Sequence, residues 1–324
     1  MVRIKMWQNP EKNEPIRKKN NFPLRPVPSA KKNKEHHPTS EEQSAKQNVQ
    51  KIMDEINQLV GLNSVKKLIH ELHAFIEIQK LRQKEKLAYE PMVLHMIFKG
   101  NPGTGKTTMA RLLGQLFKEM GVLNKGHIIE VERADLVGEY IGHTAKRTRD
   151  QVKKALGGIL FIDEAYSLAR GGDKDFGKEA IDCMVKAMED HKDNLILILA
   201  GYKHEMEHFV ESNPGLRSRF PIHITFPDYT THELMDIAKT MLDMRQYQLT
   251  SEAREQMRTL IKSRAHQHLN SGNARLVRNL IERSMRLQAV RLLGSQKSYE
   301  INKEDLMTIV EEDVLSAYDE LTED

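Results

Sequence analysis

The chain predicts an α/β fold: a parallel sheet with helices on both faces, followed by a small all-helical subdomain. Three observations lead there. Short apolar runs alternate with helical stretches from residue 92 to residue 226. A glycine-rich phosphate-loop pattern, GNPGTGKTT, sits between the first such run and the next helix. Beyond Pro227 only helical periodicity remains. Strands that alternate with helices pair in parallel, because each crossover helix packs back over the sheet.

The chain has 324 residues, enough for more than one domain. Residues 1–34 carry ten Lys/Arg against Glu11 and Glu14, and six of the eleven prolines precede residue 40. Such a segment buries too little apolar surface to offset its ordering entropy. Residues 1–50 therefore read as a basic, Pro-rich, disordered tail, with order beginning near residue 52. His36-His37 has no further ligands at metal spacing and takes no metal role.

In the ordered part, Val65, Leu68, Ile69, Leu72, Phe75 and Ile76 recur at helical spacing after Gly61 and Asn63. PMVLHMIFKG, GHIIEVER, GGILFIDEA, NLILILAGY and FPIHITF are five strand candidates. TTMARLLGQLF and FGKEAIDCMVKAMEDH are helices between them. HELMDIAKTMLDMRQ, EAREQMRTLIKSRAHQHL, ARLVRNLIERSMRLQAVRLL and KEDLMTIVEEDVLSAY predict four further helices. The expected division is residues 51–228 for the α/β part and 229–324 for the helical lid.

Residues Gly100, Asn101, Pro102, Gly103, Thr104, Gly105, Lys106 and Thr107 fit G-x-x-x-x-G-K-[ST], and Thr108 follows. The glycines let successive backbone N–H groups point at phosphate oxygens, at the positive end of the next helix. Lys106 is expected on the β- and γ-phosphates of ATP, and the Thr107 hydroxyl on Mg²⁺. The run Ile159 to Ile162 carries Asp163 to a strand's carboxyl end, where open α/β sheets bind ligands. Asp163 is the second expected Mg²⁺ residue, largely through water. Its neighbour Glu164 is expected to polarise a water for attack on the γ-phosphate.

With these motifs in place, residues 52–324 resemble the AAA+ ATPases. The resemblance implies roles for further positions. NPGLRSRF looks like the arginine-finger segment, so Arg217 or Arg219 would reach the nucleotide of an adjacent subunit. SGNARLVRNLIERS looks like the sensor 2 segment, with Arg275 touching nucleotide from the lid. Relatives often end the strand after the acidic pair with a polar Asn, Thr or Ser. Here Ala200, Gly201 and Tyr202 stand at that point, and either Tyr202 or a nearby residue takes the sensor 1 role. Tyr140, Ile141 and Gly142 match the aromatic–aliphatic–glycine loop that lines the ring pore, where an aromatic grips an extended chain.

GEYIGHTA, FIDEAYSL, FGKEAID, LAGY and NPGLRSRF together resemble the CbxX/CfqX family, whose members include red-type Rubisco activases and a sporulation protein. The length, the basic tail and the single-ATPase build look most like the sporulation branch. The resemblance implies an ATP-hydrolysing homo-oligomeric ring, usually a hexamer, that threads a protein client. A Rubisco-activating remodeller, a nucleic-acid motor or loader, and an ATP-dependent scaffold are the competing readings. Glu164 opposes a scaffold. Beyond residue 34 the chain's net charge is about −4 and no aromatic-plus-basic cluster appears, so nucleic acid is not expected as partner. The single cysteine, Cys183, excludes an internal disulfide and fits a reducing compartment. No signal-type apolar core opens the chain, and no run approaches the roughly 20 apolar residues of a membrane span. A cytoplasmic location is expected.

Overall fold

The computed structural model describes residues 40–89, 92–140, 142–170, 176–267, 272–294 and 301–323. The basic segment before residue 40 and Ile141 lie outside the described residues, and so do the expectations attached to them.

The first helix, α1 (Ser40–Gln58), takes in residues 40–50, which composition assigns to the tail. Its polar first turns hide an apolar face: Ile52, Met53 and Ile56 are buried, with Val49 packed beside them. Asn48 also donates from Nδ2 to Glu119 at 2.9 Å. The next helix, α2 (Asn63–Lys84), buries Val65, Ile69, Leu72 and Ile76. Phe75, expected on that face, stays 43% exposed. The i, i+3, i+4 stripe that includes Ile76 leaves it on the shoulder of the helix.

Then follow β1 (Met96–Lys99), α3 (Lys106–Glu119), β2 (Ile128–Val131), α4 (Arg133–Leu136), α5 (His143–Ala155) and β3 (Ile159–Ile162). A 3₁₀ turn over Ala165–Ala169 leads towards α6 (Gly177–Asp190), β4 (Ile196–Gly201), α7 (Lys203–Glu211), α8 (Pro214–Arg219) and β5 (Ile222–Thr225). The five expected strands form one parallel sheet in the order β2-β3-β4-β1-β5. Strand periodicity sorts side chains between two cores. Met96, Phe98, Phe161 and Ile198 face α1, α2 and α3, while Ile97, Leu160, Leu197 and Leu199 face the opposite layer. The central strands are buried on both faces, as a parallel sheet between helices requires, whereas edge strand β5 alternates buried and exposed.

The remaining elements are α9 (Thr231–Met244), β6 (Gln248–Leu249), α10 (Ser251–Gln267), α11 (Asn273–Gly294), α12 (Lys303–Met307), β7 (Thr308–Ile309) and α13 (Glu311–Glu323). The expected fourth lid helix is broken, so the lid is not purely helical. Thr308 and Ile309 pair in parallel with Gln248 and Leu249. β-Branched residues at 308–310 suit an extended turn better than a helix interior. Ile309 is fully buried there, and Gln288 Nε2 donates to the carbonyls of Asp305 and Thr308 at 2.9 and 3.0 Å. A third core, with Leu234, Leu242, Ile261, Val277, Leu280 and Val314, holds the lid together.

Candidate active site

The glycine-rich loop leaves the carboxyl end of β1. Gly100 donates its N–H to Gly201 at 3.0 Å, tying the loop to β4. A Cβ on Gly100 would strike the Phe226 carbonyl oxygen, so only glycine fits there. Gly103 and Gly105 have φ of 73° and 94°, which lets the loop curl so that α3 begins at Lys106. Thr104 is fully buried and its hydroxyl donates to the Asn101 carbonyl at 2.8 Å. Asn101 turns its amide to Asp228, at 3.0 and 2.9 Å. Both side chains thus brace the loop and leave its backbone to face the cleft.

That cleft, about 220 Å³, is lined by loop glycines, Lys106, Thr107, Thr108, Asp163, Glu164, Tyr202, Arg275 and Arg278. Lys106 Nζ donates to the carbonyls of Gly100 and Asn101 at 2.7 and 2.9 Å. Burial lowers its pKa, Arg275 lowers it further, and the carboxylates of Asp163, Asp228 and Glu164 oppose the drop. A desolvated ammonium held by neutral carbonyls binds an anion more strongly than one in water.

Asp163 and Glu164 follow β3, whose backbone continues one residue further through Asp163 N–H donating to Val131 at 3.0 Å. The Asp163 carboxylate accepts the Glu164 N–H, also at 3.0 Å. Glu164 has φ 46° and ψ 41°, a left-handed conformation that is costly for a residue with a Cβ. Its side chain makes no cap hydrogen bond to the 3₁₀ turn that it starts. Both carboxylates line the cleft, Asp163 directly after the strand and Glu164 at the start of the 3₁₀ turn.

Arg217 and Arg219 are not brought to this cleft. Both sit on α8, Arg217 exposed, Arg219 paired with Glu189 and donating from Nη1 to Gly215 at 3.1 Å. Tyr140 is 66% exposed, its ring edge-on to His143 with centroids 5.4 Å apart. Gly142 has φ 80°, and nothing lies within 4 Å of a Cβ built there. Sequence reasoning missed Arg278, although its spacing of three from Arg275 on a helix puts both on one face. It also missed Asn273 and Asp228, which have no motif of their own.

A model of the ATPase family associated with various cellular activities (AAA) matches residues 96–228, and a model of the AAA lid domain matches residues 230–324. Stage V sporulation protein K of Bacillus subtilis (strain 168) is 56% identical over 268 residues, 82% of each chain. The chain belongs to the CbxX/CfqX family of AAA+ ATPases. Protein CbbX of Cereibacter sphaeroides is 46% identical over 265 residues, 81% of this chain and 85% of the relative. The chloroplastic ribulose bisphosphate carboxylase/oxygenase activase of Cyanidioschyzon merolae (strain NIES-3377 / 10D) is 45% identical over 271 residues, covering 83% and 92%. Among solved structures, the FIGL-1 AAA domain superposes with a TM-score of 0.54 at 18% identity, over 81% of this chain and 82% of its own. That likeness is one of fold alone.

This AAA+ chain binds nucleotide and hydrolyses ATP, and its family typically works as oligomeric rings. Among the described residues no helix is long and apolar enough to cross a membrane.

Proposed function

We propose that this AAA+ protein is a hexameric, Mg²⁺-dependent remodeller that threads a protein client through its ring, in the cytoplasm of a sporulating bacterium. The division of labour would follow residues 51–228 for hydrolysis and 229–324 for the lid. Lys106 and the loop amides would hold the phosphates of ATP. Thr107 and Asp163 offer hard oxygen donors in one cleft, which suits magnesium. The bound ion would neutralise phosphate charge. Glu164 would orient the attacking water and take its proton, with the Tyr202 hydroxyl as sensor 1. Arg275 would contact nucleotide from the lid. Since Arg217 and Arg219 line no part of the chain's own cleft, either would act on a neighbour's nucleotide.

Tyr140 carries the protein-client reading. The Tyr140 ring is 66% exposed and is flanked by Gly138 and Gly142, which leaves it accessible to a client. A large ring on such a loop grips extended polypeptide irrespective of sequence. Ile141 would complete the grip. Glu164→Gln rings loaded with ATP are expected to retain a protein, and adding Tyr140→Ala should release it. Recovery of nucleic acid without protein would overturn the proposal. A second reading, reactivation of inhibited Rubisco, is favoured by the 45% identity to the chloroplastic activase. Direct assay on an inhibited red-type Rubisco separates the two.

A further inference from the structure

Asn273, the first residue of α11, is 1% exposed and has φ 46°. Asparagine tolerates this left-handed conformation better than other side chains, but a lid helix has no intrinsic need of it. Its hydrogen bonds explain the choice. Nδ2 donates to Asp228 Oδ1 at 2.8 Å and to the Pro102 carbonyl at 3.3 Å, while Oδ1 accepts the Tyr229 N–H at 3.0 Å. One buried amide thus joins the phosphate loop, the linker after β5 and the lid.

Neighbouring contacts reinforce the junction. Asp228 also accepts from Asn101, and the Tyr229 hydroxyl donates to the Thr104 carbonyl at 3.2 Å. Ala274 N–H donates to the Gly103 carbonyl at 3.2 Å. Gly103 has no room for a Cβ, which would run into the Gly272 carbonyl and the Arg275 amide. The loop that wraps the phosphates and the first turn of α11 form one hydrogen-bonded unit. Arg275 and Arg278 project into the cleft from that turn and the next.

We propose that Asn273 is a positioning residue for ATP hydrolysis, clamping the lid helix to the phosphate loop so that Arg275 and Arg278 face the nucleotide. The inference rests on the reading of Arg275 as a nucleotide contact. The lid has its own core through Val277, Leu280 and Ile281, so its folding does not depend on the clamp. What the clamp fixes is where the helix points. A nucleotide that moves the loop would move both arginines with it.

Asn273→Gly is the direct test, since glycine accepts the backbone and removes only the side chain. Loss of the buried network should raise KM for ATP about tenfold, with a smaller change in kcat. Release of a fluorescent ADP analogue should quicken in parallel, while the melt in the absence of nucleotide moves down but stays cooperative. Arg275→Ala should show a comparable loss, and the double variant should be no worse than the weaker single by more than about twofold. The exchange Asn273→Asp with Asp228→Asn restores the bond between the two side chains but not the donor to the Pro102 carbonyl, and should recover part of the affinity. Should Asn273→Gly fail to melt cooperatively, Asp228→Ala, which removes the carboxylate that Asn273 shares with Asn101, carries the same comparison. An unchanged KM in the clamp variants beside a raised one in Arg275→Ala would overturn the clamp and leave the arginine reading intact. Multiplying losses would make Asn273 an independent structural residue and overturn it too. No effect from either site would remove the arginine reading and the inference with it.

Discussion

The two ends of one sheet make different environments. At the carboxyl ends of the strands lies the phosphate cleft, about 220 Å³, walled by backbone amides, Lys106, Asp163, Glu164 and two lid arginines. At the amino ends lies a cavity of about 740 Å³, lined by Phe75, Tyr89, Met92, Val93, His95 and Arg219 among others. The larger space is mainly apolar, with Lys80, Glu189, Lys192, Asp193 and Arg219 also at its walls, whereas the smaller gathers Lys106, Asp163, Glu164 and two arginines around one glycine-rich loop. In a parallel sheet every strand delivers its carboxyl end to the same side, so loops there gather polar groups from distant parts of the chain. The amino ends gather whatever the crossover helices leave uncovered. Cavity size therefore reports packing, and convergence of polar groups reports chemistry.

The sharpest way to break this contrast is at Glu164. Glu164→Gln removes a proton acceptor without changing shape, and phosphate release should fall at least ~100-fold. Nucleotide affinity should persist, since the proposed phosphate contacts are the loop and Lys106, not Glu164. Retained turnover would move the chemistry elsewhere. Next is Lys106→Ala. Its ammonium is partly desolvated in the cleft, so equilibrium binding of ATP should weaken by about 100-fold, the scale of two charged hydrogen bonds lost. Glu164→Gln and Lys106→Ala should thus separate turnover from affinity.

Much of the catalytic end is legible in the sequence. Its strands are continuous apolar runs, and its loop and carboxylate pair obey spacings that backbone geometry imposes. Less legible are features fixed by contacts between distant segments. The first turns of α1 read as tail because their apolar face begins only at Val49. Phe75 fits a helical stripe yet lies at its margin. The break at Thr308 depends on pairing with Gln248, sixty residues away by numbering. Asn273 is legible as a residue before a candidate sensor arginine, but its bond to Asp228 spans 45 positions and leaves no local pattern. Arg278 is legible from helical spacing alone, three residues beyond Arg275 on the same face of α11.

A third test concerns stability at the apolar end. His95 is 5% exposed, its Nδ1 accepts the Leu197 N–H at 3.0 Å, and its ring packs against Phe220. The ring is therefore neutral, and burial pulls its pKa from 6.5 down to about 4. A folded pKa below the unfolded one gives stability that is complete above pH 6.5 and lost as pH falls towards 4. Between pH 7 and pH 5 this group should cost the fold about 2 kcal/mol. Denaturant melts at both pH values should show that extra loss in the wild type and not in His95→Leu. The variant starts lower, because the Leu197 N–H loses its acceptor. Equal pH slopes for the two proteins would mean that His95 takes up its proton in the fold as readily as in the unfolded chain.

The smallest expected effect is the one that tests the comparison most directly. Phe75 lines the 740 Å³ cavity from the shoulder of α2 and is 43% exposed, so Phe75→Ser removes apolar area that is only partly buried. Stability should fall by about 1 kcal/mol, less than for a fully buried ring. Turnover and KM for ATP should stay within about twofold, because no polar group of the cleft contacts that helix shoulder. The strands do offer a route between the ends: His95 holds Leu197 just before β1, and Gly100 holds Gly201 just after it. A drop in turnover well beyond twofold, with the melt still cooperative and lowered only by that amount, would show that those rungs carry displacement from the apolar end to the glycine-rich loop. The large cavity would then be a control site on hydrolysis, and the distinction between packing and chemistry would fail at the point where the sheet is most rigid.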